Sequence, residues 1–170
     1  MDGMNPRAAA DPSAWARIRL FAMDVDGILT DGTLFIGSDR TEIKRFSVLD
    51  GMGLGLVREA GIALAWISGR PSGATTIRAE ELRIQHVIQG RRDKLDVLRE
   101  IASASGLGLE ECAYMGDDFI DAPAIAAAGI GATVPEAMPA ALAAANFVTR
   151  RSGGRGAVRE VCDLLMGSRR

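Results

Sequence analysis

Six short apolar runs punctuate the chain, and between them lie segments with the spacing of amphipathic helices. The runs are 18–23 (IRLFAM), 62–67 (IALAWI), 86–89 (HVIQ), 112–115 (CAYM), 129–133 (GIGAT) and 146–149 (NFVT). A run with no polar face suits a strand buried on both sides. Helices are expected over 53–60, 72–83, 93–104, 119–128, 136–145 and 156–166. In the third of these Leu95, Leu98 and Ile101 share one face, and Asp93 is placed to cap the N-terminus. Pro123 and Pro135 suit first-turn positions. Strands and helices in alternation predict an α/β fold, a Rossmann-like doubly wound parallel sheet with helices on both faces.

One segment breaks the alternation. Residues 33–48 (TLFIGSDRTEIKRFSV) read as two short strands around the turn GSDR, a β-hairpin inserted after the first strand. No insertion is large enough for a separate cap domain. The expected organisation is a disordered extension over 1–16, one domain over 17–167 and a tail at 168–170. At 170 residues, 48% of them hydrophobic, the chain can bury one core and is too short for two ordinary ones. Its net charge of −2 is scattered, with no basic face for a nucleic acid. Cys112 and Cys162 lie in apolar runs and read as buried free thiols. No apolar run approaches the roughly 18 residues of a membrane span. The first residues lack the basic start and apolar core of a secretory signal, so a cytoplasmic location is expected.

The first run leads straight into acids, in LFAMDVDGILTDG (20–32). Carboxylates beside an apolar core are costly, because desolvation penalises the charged form. In an open parallel sheet, ligands bind where strands deliver their C-terminal ends. The first strand delivers Asp24 and Asp26, with Gly27 allowing a sharp turn. The second delivers Ser68, Gly69 and Arg70, the fourth Asp117, Asp118 and Asp121, and Lys94 opens the helix before the fourth. Close carboxylates repel by several kcal/mol at an effective dielectric near about 20. A divalent cation relieves that repulsion, and oxygen-only ligation without His or Cys points to Mg²⁺ rather than Zn²⁺. Magnesium prefers one or two carboxylates plus a phosphate, which predicts a phosphorylated substrate held by Ser68 and Lys94.

Each element alone has a plainer reading. A lone D-x-D is usually a turn or N-cap, SGR a loop, GDD a turn, and a helix lysine a solvated charge. Their joint order at successive strand ends outweighs those readings. Other motifs fail: DVDGIL has its glycine at the wrong place for a calcium loop, and GMGLGL lacks a dinucleotide-binding spacing and a preceding strand. His86 lies inside a strand run and reads as packed; Trp15 and Trp66 read as anchors or core.

With these residues assembled, the sequence resembles the haloacid dehalogenase-like phosphohydrolases. DVDGILTDG looks like their first motif, ISGR the second, Lys94 the third and GDDFIDA the fourth. FSVLDGMGL, QGRRDKL, YMGDDFIDAP and RSGGRGAVREVCDLL further resemble a capless branch acting on an eight-carbon keto-sugar acid phosphate in lipopolysaccharide precursor biosynthesis. The resemblance implies that Asp24 is the nucleophile forming an aspartyl-phosphate, and that Asp26 is the general acid and then base. It implies Mg²⁺ on the Asp24 carboxylate, the Asp26 carbonyl and Asp117, with Asp118 and Asp121 in support. Ser68, Gly69 and Lys94 would bind the phosphoryl group, and Arg70, Asp50 and Arg155 the sugar acid. A nine-carbon branch carries glutamate in place of Arg70, so Arg70 favours the shorter substrate. The hairpin would build a homotetramer. Two departures stand out: Leu49 occupies a position that is often cationic, and the chain stops at GSRR, short of a tail that reaches a neighbouring site in other members. Two other classes compete. A phosphorylatable receiver pairs adjacent acids and phosphorylates an Asp after strand three, where this chain has QG; a non-catalytic partner would not need all the acids.

Overall fold

The computed structural model describes residues 12–169. Helix α1 (Pro12–Ala16) leads into β1 (Leu20–Met23), then the hairpin β2 (Phe35–Ile36) and β3 (Glu42–Ile43). Then follow α2 (Val48–Glu59), β4 (Ala63–Ser68), α3 (Gly73–Leu82), β5 (His86–Gln89), α4 (Lys94–Ala104), β6 (Cys112–Met115) and α5 (Ala122–Ala127). The chain ends with β7 (Ile130–Thr133), α6 (Pro139–Ala144), β8 (Phe147–Val148) and α7 (Ala157–Gly167). Six strands form one sheet in the order β5-β4-β1-β6-β7-β8, every neighbouring pair parallel. That is the expected doubly wound order, reversing beside the first strand. β1 lies between β4 and β6 with all four residues fully buried, so an uninterrupted apolar run is what its place demands.

α2 packs on α7, which also receives α1; α4, α5 and α6 pack on one another in series. From the sequence α2 is expected over 53–60. Instead it starts at Val48, capped by the Ser47 hydroxyl, which accepts from the amides of Leu49 at 3.2 Å and Asp50 at 3.4 Å. The glycines serve packing: a Cβ on Gly53 would lie 3.0 Å from Cys162 Cβ in α7. Both cysteines are free and buried, as expected.

Other local expectations are corrected. Residues 12–16 of the expected disordered extension form α1; residues 1–11 lie outside the described residues. Trp15 is 3% exposed and meets Phe147 edge-on at 5.2 Å between ring centroids, so apolar burial holds the helix down. Asp93 sits at the N-cap position of α4 without a capping bond, because Arg91 takes its carboxylate at 2.8 Å. Pro139, rather than Pro135, occupies the first turn of α6. At the other end Arg169 bonds the Ile18 carbonyl, joining the tail to the segment that leads into β1. The hairpin is shorter than its 33–48 span, with only Phe35 opposite Ile43 and Ile36 opposite Glu42 in register. Among the described residues no helix is long and apolar enough to cross a membrane.

Truncating a buried Trp costs about 3 kcal/mol or more. Trp15→Ala should therefore shift the urea midpoint downward by a corresponding amount; a loss below about 1 kcal/mol would mean that α1 frays without consequence.

Candidate active site

The central strand aims its end at the site. The Asp24 amide extends the β1–β6 ladder, donating to Met115 O at 2.9 Å. The chain then coils tightly, with the amides of Ile28, Leu29 and Thr30 converging on Val25 O at 3.3, 2.9 and 3.2 Å. Gly27 has φ +91°, and a Cβ there would fall 2.1 Å from Asp117 Oδ2. Only glycine meets both demands. The RSGGRG segment backs this loop: a Cβ on Gly153 would lie 1.8 Å from Gly27 O, and the Gly154 amide donates to Ile28 O at 2.9 Å.

Asp24 is buried, accepts from the Val25 amide at 2.7 Å and lies 2.9 Å from Lys94 Nζ. The Lys94 side chain is fully buried. Its ammonium also lies 3.5 Å from Asp121 and donates to Ile67 O at the end of β4, so one charge joins three strand ends. Asp121 is fully occupied in turn. Tyr114 Oη donates to its Oδ1 at 2.7 Å, and the amides of Asp117 and Asp118 donate to Oδ2 at 3.3 and 3.1 Å. Asp118 folds back to accept from the Phe119 amide at 2.6 Å.

Asp24, Asp117 and Asp121 each present an oxygen within 4.8 Å of the others. Burial first, and the Asp121 charge second, push the Asp24 carboxyl up to about 7 against the pull of Lys94. Burial, then Asp24 and its acidic neighbours, push Asp117 up to about 7 as well. One ammonium does not balance this set. The donors are all oxygen, the room is held open at Gly27, and the charge deficit is negative, which fits a hard divalent cation such as Mg²⁺. Asp24 and Asp117 are the carboxylates free to hold it, and among the described residues no amide bonds the Asp26 carbonyl. Asp121, already committed, orients its neighbours.

At the end of β4, Ser68 Oγ donates to Arg70 O at 2.9 Å and accepts from the Arg70 amide at 3.2 Å, a small closed turn that includes Gly69. Arg70 reaches Glu42 at 2.5 Å and lies 3.9 Å from Asp26. Arg155 lies 3.9 Å from Asp31, which Arg45 holds at 2.6 Å. Asp50, expected at the substrate, is placed differently: it is 1% exposed and accepts from the Arg159 amide in the first turn of α7 at 2.8 Å. Its role here is to fix α2 on α7.

Two residues escaped the sequence reading. Lys44 is buried, 2.7 Å from Asp26 and 3.1 Å from Thr75 Oγ1. Glu42, two residues earlier, binds Arg70 and the Ser72 hydroxyl. The signal was the pattern Glu42-Ile43-Lys44, which in a strand puts both charges on one face.

The model of the haloacid dehalogenase-like hydrolase family matches residues 63–160. The 3-deoxy-D-manno-octulosonate 8-phosphate phosphatase of Yersinia pestis is 43% identical over 151 residues, covering 89% of this chain and 81% of the relative. A crystal structure of the phosphatase of that name from Moraxella catarrhalis, in complex with magnesium ion, phosphate ion and a KDO molecule, superposes with a TM-score of 0.91 at 45% identity, over 92% of this chain and 90% of that one. A cobalt-bound Haemophilus influenzae counterpart superposes at 0.88 with 34% identity, over 92% and 91%. With its acids, serine and lysine gathered at one sheet edge and its likeness running along nearly all its length, this chain belongs to the haloacid dehalogenase-like hydrolases, among their phosphatases.

Proposed function

We propose that the chain hydrolyses 3-deoxy-D-manno-octulosonate 8-phosphate to the free sugar acid and phosphate, with Mg²⁺ as cofactor and an aspartyl-phosphate on Asp24 as intermediate. The observation that carries this reading is the buried contact of Asp24 with Lys94 amid acids that lack a balancing charge. A nucleophilic carboxylate must meet a dianionic phosphoryl group without being repelled, and Lys94 supplies part of that neutralisation. Mg²⁺, held by Asp24, Asp117 and the Asp26 carbonyl, would supply the remainder by stabilising charge on the phosphoryl oxygens. Ser68, Gly69 and Lys94 grip those oxygens from the β4 side. Asp26, at the rim of the same loop, gives its proton to the departing sugar oxygen and later takes one from water. Asp121 and Asp118 hold the loop of the fourth motif in shape.

Arg70, 3.9 Å from Asp26, and Arg155, 3.9 Å from Asp31, would offer guanidinium forks to the sugar carboxylate. Arginine at position 70, where the nine-carbon branch has glutamate, favours the eight-carbon acid. The hairpin supports a tetrameric reading: Phe35, Ile36 and Ile43 are 57%, 63% and 61% exposed, an apolar face fit for copies of itself. The resulting sugar acid would feed lipopolysaccharide precursor synthesis in the cytoplasm.

Asp24→Asn should lower kcat by about 10⁴-fold or more, while thermal melting without metal stays level or rises, since one crowded charge is gone. Retained turnover would remove Asp24 from the mechanism. The raised carboxyls give a second test. A carboxyl moved from its ordinary 3.8 to about 7 on folding stabilises the metal-free protein below the lower value and loses that contribution as pH rises through the higher one. Bound Mg²⁺ favours the ionised acids, so its upward shift of the melting temperature should be larger at pH 8 than at pH 6. Equal shifts at both pH values would exclude Asp24 and Asp117 as ligands. Arg70→Glu should weaken preference for the eight-carbon acid over a neutral sugar phosphate; an unaltered ranking of kcat/KM would dismiss that assignment.

A further inference from the structure

We propose that Lys44, carried by the hairpin, is a positioning residue for Asp26, pinning one carboxylate oxygen so that the other faces the leaving group. The inference rests on the general acid–base reading of Asp26. Lys44 lies outside the four motifs, yet its side chain is fully buried and its ammonium stands 2.7 Å from Asp26 Oδ1. That contact is not an aligned hydrogen bond; Oδ1 is buried with no donor directed at it, so its place is set by charge and enclosure. The ammonium is anchored from the other side by Thr75 Oγ1 at 3.1 Å, and Thr75 is itself fully buried in the first turn of α3. Asp26 Oδ2 is the more open oxygen, with Arg70 Nε 3.9 Å away.

Asp26 needs such a restraint. It sits on a loop beyond β1, its side chain is 27% exposed, and among the described residues only Lys44 and Arg70 form ion pairs with its carboxylate. A hairpin that merely needed tethering could use Glu42, which already ties it to Ser72 and Arg70. Burying a lysine against an acid of the first motif does something more: it fixes which oxygen carries the proton. In the first half-reaction a bond forms from Asp24 to phosphorus. The bond from phosphorus to the sugar oxygen breaks, and that oxygen takes the Asp26 Oδ2 proton with the departing electron pair. In the second, water bonds to phosphorus and returns a proton to Oδ2 as the Asp24–phosphorus bond breaks. In the first half-reaction misorientation of Asp26 therefore hurts only leaving groups that need the proton, whereas the attack of water in the second is common to every substrate.

Leaving-group dependence tests this directly in the full-length protein with Mg²⁺. A sugar phosphate releases a poorly leaving alkoxide, whereas p-nitrophenyl phosphate releases a phenolate that departs unprotonated. Read as the single-turnover rate of leaving-group release, which isolates the first half-reaction, Lys44→Met should slow 3-deoxy-D-manno-octulosonate 8-phosphate by about 10²-fold while changing p-nitrophenyl phosphate by less than about 3-fold. Lys44→Arg should recover most of the loss. Asp26→Asn should show the same split. If Asp26→Asn splits the two substrates and Lys44→Met depresses both alike, Lys44 serves only the fold and the proposal is overturned, leaving the reading of Asp26 intact. If Asp26→Asn gives no split, both are overturned. Should Lys44→Met not fold, Thr75→Val removes only the anchor hydroxyl; a smaller split in the same direction supports the proposal, and no split overturns it.

Discussion

A single buried ammonium organises this molecule. Lys94 stands at the start of α4 and reaches across the sheet edge to Asp24 after β1, Ile67 O in β4 and Asp121 after β6. Three strand ends that share no covalent neighbours are thereby set against one charge. Burial of a lysine is costly unless it is paired and bonded, and here the partners are groups that burial penalises as well. The cluster remains short of positive charge, and burial first, then the neighbouring acids, push the Asp24 and Asp117 carboxyls up to about 7. Such a deficit at a sheet edge suits a divalent cation.

Glycines make the cluster possible. Gly27 lets Asp117 approach the loop of Asp24 and Asp26, while Gly153 and Gly154 let the segment before α7 lie directly on that loop. Asp50 extends the chain of contacts by bonding the Arg159 amide, so α2 and α7 hold the far side of the same loop. Polar precision at the edge thus depends on close backbone packing behind it, where no side chain longer than hydrogen fits. The hairpin completes the arrangement from outside. Its inner face carries Glu42 and Lys44 into the site, and its outer face leaves Phe35, Ile36 and Ile43 in water.

Much of this was legible in the residues, and the failures have physical causes. Apolar runs located the six strands of the sheet, the four inner ones because a strand buried on both faces has no polar side. The helix over Val48–Glu59 was read too short because glycine weakens a helix in isolation, whereas packing against α7 rewards it here. Asp93 had the right residue type for a cap, but a neighbouring arginine competed for its carboxylate. Trp15 was rightly read as an anchor, but the helix that carries it went unread because five residues carry too little periodicity to announce one; its burial depends on Phe147, far along the chain.

By itself the sequence determined the layering of the sheet, the strand ends that bear chemistry, and the kinds of groups they present, since these follow from local hydrophobic period and from residue type. Asp24, Asp26, Ser68, Lys94 and Asp117 could be named from order alone. Only the tertiary structure decided which of several charged residues meet. Lys44 and Glu42 turn inward, Asp50 serves α7 instead of the substrate edge, and Arg70 is shared between Glu42 and Asp26. Such pairings span tens of residues along the chain, and they depend on the angle at which a short hairpin crosses a helix terminus. No local pattern encodes that angle; it emerges when the buried faces of all the elements are satisfied together.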